Sequence, residues 1–271
     1  AQPMGFYSPQ SLISDARRHG VKVLPVCVQA SADQARVENG AIRLGLGSIK
    51  GVGSRAAQRI EGAAQAGPFS SIADVASRAG LSVAQAESLA RAGAFACFGL
   101  TRRQALWEAG VAATHNPGML PGIDIIHAPA LPGMSELELL SADIASTGVT
   151  PDKQPMELLR EALDARGVIS ADNLMAVEDG TRIWVAGVVT HRQRPRTAGG
   201  VTFLGMEDET GLINVVLSPG VWRRYAHVAG SVKTLMVRGI VRNASGAVSI
   251  DADALAPLHA ESLSRGSRDF R

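Results

Sequence analysis

The spacing of apolar residues changes from a helical to a strand-like period near residue 182. Before that point, apolar residues recur every three or four positions between glycines and prolines, which predicts short helices. After it, apolar and polar residues alternate in five runs, which predicts β-strands. The predicted strands are 182–190, 201–208, 212–217, 232–243 and 247–254.

A helix is predicted from Pro219 to about Ala229, between the third and the fourth strand. Five strands with a helix in that position follow the order of an OB-fold, a partly open barrel that binds oligonucleotides on one face. We therefore predict a five-stranded β-barrel OB-fold over residues 182–257.

The helical half contains one stretch, residues 46–60, in which apolar spacing, glycines and cations occur together. It predicts two short helices joined by a Gly-Val-Gly turn, which is the pattern of a helix-hairpin-helix. Four apolar residues would form the buried faces of the two helices: Leu46, Ile49, Ala57 and Ile60. The predicted fold class is thus α+β in several domains, with an all-α helix-hairpin-helix domain before the barrel.

The glycines of this turn would leave bare backbone amides at the start of the second helix, where the helix dipole favours an anion. Nucleic-acid phosphate is the natural anion, because three cations surround the turn. The residues predicted to bind DNA here are Lys50, Gly51, Val52, Gly53, Ser54, Arg55 and Arg59. The alternative is a glycine-rich connector between two core helices. Neither a dinucleotide fingerprint nor a P-loop fits the glycine pattern.

A second set of candidate DNA-binding residues lies in and beside the loop between the first two predicted strands. Three arginines alternate along residues 191–200, a spacing that suits contact with successive phosphates: Arg192, Arg194 and Arg196. Phe203 and Trp184 lie on predicted strands and are candidates for base stacking. The alternatives are a merely solvated loop and ordinary core packing of the two rings.

The distribution of charge supports two nucleic-acid-binding modules. The net charge of the whole chain is only +2, but residues 1–118 hold 12 Lys and Arg against 7 Asp and Glu. Residues 119–181 hold 3 Lys and Arg against 11 Asp and Glu, and residues 182–257 hold 9 Lys and Arg against 5 Asp and Glu. Two basic modules are therefore separated by an acidic connector, as expected for binding at two places.

Composition argues against several other classes of protein. No apolar run approaches the roughly 18 residues of a membrane span, and the start lacks the pattern of a signal peptide. Cys27 and Cys97 show no metal-ligand spacing and suggest a reducing cytosol. The six histidines are scattered, so we expect no metal site. We find no constellation of catalytic residues, so a small-molecule enzyme is not expected.

Several segments together resemble the bacterial C-family DNA polymerases, the alpha subunits of DNA polymerase III and their error-prone relatives. The opening motif Met4-Gly5-Phe6-Tyr7, followed by residues 15–21, is similar to the end of the fingers in that family. Residues 49–53 resemble the hairpin of that family, and residues 91–95 resemble the end of its helical domain. Residues 147–155 resemble the connector before its OB domain, and residues 206–211 resemble the turn between the second and third strands of that domain. The closing residues 267–271 resemble the C-terminus of the error-prone, translesion branch. No sliding-clamp peptide is found near residues 114–134, which fits that branch.

The resemblance implies five segments: the end of the polymerase fingers at 1–40, a helix-hairpin-helix domain at 41–113, an acidic helical connector at 114–181, the OB-fold at 182–257 and a flexible basic tail at 258–271. It also implies the C-terminal portion of an enzyme whose catalytic aspartates and Mg²⁺ belong to a palm domain absent here, so no catalytic residue, metal ligand or cofactor is expected in this chain.

The hairpin would hold duplex product and the OB-fold single-stranded template, during DNA synthesis induced by damage. The implied partners are primer–template DNA and a sliding clamp reached through an accessory translesion protein, with no membrane, in the bacterial cytoplasm at the nucleoid. The alternatives that the residues leave open are a free-standing nucleic-acid-binding protein of repair or RNA metabolism, and a protein-docking module.

Overall fold

A computed structural model describes residues 8–112, 131–244 and 246–258. Three features used in the sequence analysis lie outside the described residues: the opening motif at 4–7, the greater part of the proline-rich stretch at 114–134, and the tail from residue 259. The chain divides into two compact units, one formed by Ala16–Asp152 and the other by Ala1–Asp15 with Lys153–Arg271. Helix α1 (Pro9–Arg18) crosses the boundary between these two units, which lies between Asp15 and Ala16. The boundaries of the five segments expected from the sequence stay predictions.

The unit at Ala16–Asp152 combines a small sheet with a group of helices. Its elements are β1 (Val23–Leu24), β2 (Arg36–Glu38), β3 (Ala41–Arg43), α2 (Gly53–Gln65), α3 (Ile72–Ala79), α4 (Val83–Arg91), α5 (Arg102–Ala112) and α6 (Glu136–Thr147). The side chains of Ser71, Ser82 and Ser135 cap α3, α4 and α6 by accepting a hydrogen bond from the backbone amide three residues on. Local sequence thus determines where these helices begin.

The core of this unit confirms the apolar face predicted for the hairpin. All four predicted residues are buried: Leu46, Ile49, Ala57 and Ile60. The first of the two predicted helices, however, is a single 3₁₀ turn at Leu46–Ser48, because the chain takes an extended conformation at Ile49. The second is the 13-residue helix α2.

The structure adds a three-stranded sheet to the predicted helical domain. Its strand order is β1-β3-β2, with β1 parallel and β2 antiparallel to β3. The link from β2 to β3 is Asn39-Gly40, and both residues have positive φ, 50° and 79°. An Asn-Gly pair with left-handed backbone is the preferred two-residue hairpin turn. The hairpin at residues 36–43 is not among the elements that the sequence predicts.

The second unit is a closed barrel that confirms the predicted OB-fold. Its elements are α7 (Arg160–Asp164), β4 (Val168–Ile169), β5 (Arg182–Gln193), β6 (Thr202–Glu207), β7 (Leu212–Leu217), α8 (Pro219–Ser231), β8 (Thr234–Ala244) and β9 (Ala247–Pro257). The sheet order is β4-β5-β6-β7-β9-β8, and pairing of β5 with β8 closes the barrel. Strand β4 was not predicted; it adds a two-residue parallel edge beside β5.

Alternation along the strands separates a packed interior from an outer face. Leu204, Met206 and Val215 point into the barrel core. On the outside, part of the barrel is covered by residues from the predicted connector, since Met156, Leu163 and neighbouring side chains form a second apolar cluster with residues of β5. Among the described residues, no helix is long and apolar enough to cross a membrane.

Candidate nucleic-acid interface

The turn before α2 presents backbone rather than side chains. Gly51 and Gly53 have φ of 88° and 74°, the left-handed region that glycine tolerates best. The side chain between them, Val52, is buried and anchors the turn in the core. Helix α2 begins at Gly53, and no side chain caps its N-terminus. The turn therefore has the exposed, uncapped helix start that was predicted from the glycines.

Only some of the amides of this turn are available to a ligand. The amide of Lys50 donates to the Ser146 carbonyl at 2.8 Å, and that of Val52 donates to the Ile49 carbonyl at 3.2 Å. The amides of Gly53, Ser54 and Arg55 have no acceptor among the described residues. These three amides, at the positive end of the helix dipole, form the candidate anion site.

Two of the three predicted cations beside the turn are available. The side chains of Lys50 and Arg55 are exposed and have no hydrogen-bonding or ionic partner among the described residues. Arg59 differs, because its guanidinium donates to the carbonyls of Ala79 at 2.7 Å and Gly80 at 3.2 Å, at the C-terminal end of α3. The structure therefore gives Arg59 a role in holding α2 against α3, and its contact with DNA stays a prediction.

An acidic residue that the sequence analysis missed organises the start of α2. The hydroxyl of Ser54 donates to the Asp33 carboxylate at 2.5 Å, and the Gln58 amide donates to the same oxygen at 3.2 Å. The Ser54 hydroxyl is the main cause that holds the pKa of Asp33 below its usual range. Since Asp33 lies 21 residues before Ser54, no local spacing signals this contact.

The outer face of β6 carries the exposed aromatic ring that was predicted for base stacking. Phe203 is 39% exposed, and its cross-strand neighbours are Gln193 on β5 and Val216 on β7. Trp184 is instead partly buried in the outer apolar cluster, with Arg238 over its ring at 5.8 Å. Of the two candidate rings, Phe203 is therefore the one presented to a ligand.

The three loop arginines have different surroundings. Arg194 lies over the ring of Trp222, with its guanidinium carbon 5.4 Å from the ring centroid. Arg196 is exposed in a short 3₁₀ turn and has no partner among the described residues. Arg192 donates to the carbonyls of Ala229 at 2.7 Å and Val232 at 2.5 Å, at the end of α8. Arg192 thus caps a helix, and its predicted DNA contact stays a prediction.

The turn between β6 and β7 is held by a buried carboxylate. Asp208 is fully buried and accepts hydrogen bonds from the amides of Thr210 at 2.8 Å, Gly211 at 2.9 Å and Ala171 at 2.8 Å. The guanidinium of Arg160 pairs with it at 3.3 Å. This segment, which resembles a turn of the polymerase family, is therefore a structural junction between the barrel and the residues before it.

No group of three or more His, Cys, Asp or Glu among the described residues is arranged to hold a metal ion. The Mg²⁺ expected of a polymerase therefore does not fit the described residues of this chain, and no reaction step is assigned to them.

Two family descriptions match parts of the chain. A helix-hairpin-helix motif matches residues 20–105, and an OB-fold nucleic acid binding domain matches residues 183–258. The chain is 62% identical over its whole length to an error-prone DNA polymerase of Corynebacterium glutamicum and covers 26% of that protein. It is 62% identical to the error-prone DNA polymerase of Corynebacterium efficiens and 54% identical to that of Mycobacterium tuberculosis, covering 25% of each.

The chain thus spans about a quarter of the length of these curated relatives, while the similarity extends over all of its own residues. A helix-hairpin-helix domain and an OB-fold occur in it in the order that the resemblance implied. Along its whole length the chain is therefore similar to a part of the error-prone DNA polymerases, and its two matched regions are a helix-hairpin-helix motif and an OB-fold nucleic acid binding domain.

Proposed function

We propose that this chain is the DNA-holding part of an error-prone polymerase, with the hairpin on duplex product and the barrel on single-stranded template. The observation that carries the proposal is the start of α2, where three amides and the cations Lys50 and Arg55 have no partner in the part of the chain that the structure describes. Such a site binds backbone phosphate without reading bases, as an enzyme that copies any sequence requires.

The barrel supplies the complementary properties for a single strand. Phe203 offers a ring to an unpaired base, and Arg194 and Arg196 lie in the loop that begins where β5 ends. Aromatic rings beside flexible cations are the usual means of binding single strands with little sequence preference. Because the relatives are similar along the entire chain, a free-standing binding protein is the weaker proposal.

Nucleotidyl transfer would take place on palm carboxylates outside this sequence, which would hold Mg²⁺ as a Lewis acid and charge clamp. The chain's own contribution would be to keep primer–template DNA in position during synthesis past damage. We further propose that the polymerase reaches the sliding clamp through an accessory protein.

Fluorescence anisotropy of labelled duplex and single-stranded DNA over a salt series tests the hairpin assignment. Lys50→Ala with Arg55→Ala should weaken duplex binding and reduce the slope of log affinity against log salt by about 1 to 2, since each phosphate contact contributes roughly 0.9. The matched control, Lys22→Ala with Arg36→Ala, removes the same charge from exposed positions outside the turn. If both double variants bind duplex equally well, the hairpin does not hold the backbone.

A further inference from the structure

The outer face of the barrel carries a second aromatic ring, His191, which lies beside Phe203. His191 pairs with Gly205 across β5 and β6. A Cβ placed on Gly205 would lie 2.0 Å from Cε1 and 2.4 Å from Nε2 of the imidazole. The ring therefore occupies the space above a glycine that any other residue would fill.

A β-bulge directs His191 to this face. The register between β5 and β6 shifts between Val189 and His191, so Thr190 is the extra residue that is paired with no β6 residue in the strand register. Val189 packs against the barrel core, and regular alternation would point His191 inward as well. The extra residue reverses that alternation, since bulges redirect the side chains that follow them. His191 consequently pairs with Gly205 and shares the outer face with Phe203.

A hydrogen bond to Thr190 helps to orient the imidazole. The hydroxyl of Thr190 donates to the carbonyl of Gly205 at 3.1 Å and lies 3.1 Å from Nδ1 of His191. Because the hydroxyl has one proton and gives it to the carbonyl, Nδ1–H of the imidazole donates to the hydroxyl oxygen. The bulge residue thus orients the ring that it turned outward.

The spacing of the two rings suits neighbouring bases. Phe203 and Gly205 are two residues apart on one face of β6, so the backbone positions that carry Phe203 and lie under His191 are about 7 Å apart along the strand. Cross-strand from Phe203, Gln193 offers an amide, and the basic loop follows directly. Bases of a single strand stack on such successive aromatic side chains, histidine included.

We propose that His191 and Phe203 form a two-base stacking platform for single-stranded DNA, with His191 seated on Gly205. This rests on the proposed role of the barrel. The platform selects for unpaired bases, because the faces of paired bases are covered by their neighbours in the duplex. It supplies affinity that is tolerant of sequence, as every base has a face to stack.

The test measures the affinity of the full chain for a labelled oligothymidylate of twelve residues. His191→Ala should weaken binding about fivefold or more, the effect of losing one stacked base. His191→Phe should restore it, because a flat ring is retained. Gly205→Ala should weaken it as well, since the added methyl group displaces the imidazole. Met175→Ala, which removes an exposed apolar side chain elsewhere in the same unit, is the matched control.

A second oligonucleotide separates stacking from contact with phosphate. On an abasic strand of equal length, His191→Ala should have no effect, while Arg194→Ala with Arg196→Ala should still weaken binding. If His191→Ala is silent on oligothymidylate but the arginine variant is not, the platform is wrong and the proposed role of the barrel stands. If the wild-type chain does not bind oligothymidylate, both are wrong.

Discussion

Two glycine-to-alanine substitutions within α2 distinguish the need for a left-handed backbone at the turn from the ordinary preference of a helix for alanine. Gly53 is the first residue of the helix and has a φ of 74°, whereas Gly62 lies within the same helix without a positive φ. In both cases an added Cβ meets nothing within 4 Å. The two substitutions therefore add the same methyl group to open space and differ only in the backbone that must accept it.

The expected effects have opposite signs. A left-handed conformation costs alanine about 1 to 2 kcal/mol, and the reduced freedom of the unfolded chain offsets about 0.4 to 1 kcal/mol of that. Gly53→Ala should thus destabilise by about 1 kcal/mol. Gly62→Ala should stabilise by about 0.8 kcal/mol, the difference in helix propensity. The two variants should differ by roughly 2 kcal/mol.

Urea denaturation followed by far-ultraviolet circular dichroism at 222 nm measures this difference, because most of the helices that the structure describes lie in the unit that contains α2. Gly53→Ala should also weaken duplex binding, since it shifts the amides of the candidate anion site, while Gly62→Ala should not. If Gly53→Ala is as stable as Gly62→Ala, the turn relaxes easily and its glycines are not required for its backbone.

Three further predictions concern single side chains. Arg192→Ala should lower the stability of the barrel by about 1 kcal/mol in thermal denaturation, because the C-terminal cap of α8 is lost. Arg196→Ala should leave the stability unchanged and weaken the binding of single-stranded DNA. Equal losses of stability in the two variants would contradict this assignment. Asp208→Ala should cost about 3 kcal/mol or more in urea denaturation, because it leaves the backbone amides of Ala171, Thr210 and Gly211 without their acceptor, and a loss below 1 kcal/mol would refute that role. A hydrogen bond from the Cys97 thiol, acting with nearby backbone amides, lowers the pKa of Cys27 to about 6. The rate of alkylation of Cys27 by iodoacetamide should therefore rise through pH 6, and in Cys97→Ala the midpoint of this pH dependence should move upward. A wild-type midpoint near pH 8.5 would exclude the lowered pKa.

Elements that are determined by residues close together in the chain could be predicted from the sequence. The proline that opens α8 and the strand alternation of the barrel both depend on residues a few positions apart. The Asn39-Gly40 hairpin was equally local, but its strands have three residues each, too short for alternation to stand out. The fold class was therefore predictable from one sequence.

The assignment of individual arginines was less predictable, because a basic residue near a turn has the same appearance in sequence whether or not it has a partner. Arg55 and Arg59 differ by one helical turn, yet only Arg59 meets the carbonyls that end α3. Arg192 and Arg196 differ in the same way with respect to α8. Such distinctions depend on which helix end lies within reach, and that is a property of tertiary packing.

The face of the barrel on which His191 lies could not be predicted from the sequence. Alternation counted from Val189 places His191 inside the barrel, and only the bulge at Thr190 reverses that assignment. A bulge shifts every later residue of a strand to the other face, so the same shift that exposes His191 turns Arg192 toward α8 and brings Gln193 opposite Phe203. One unpaired residue therefore explains both why Arg192 became a helix cap and why two aromatic rings share one outer face.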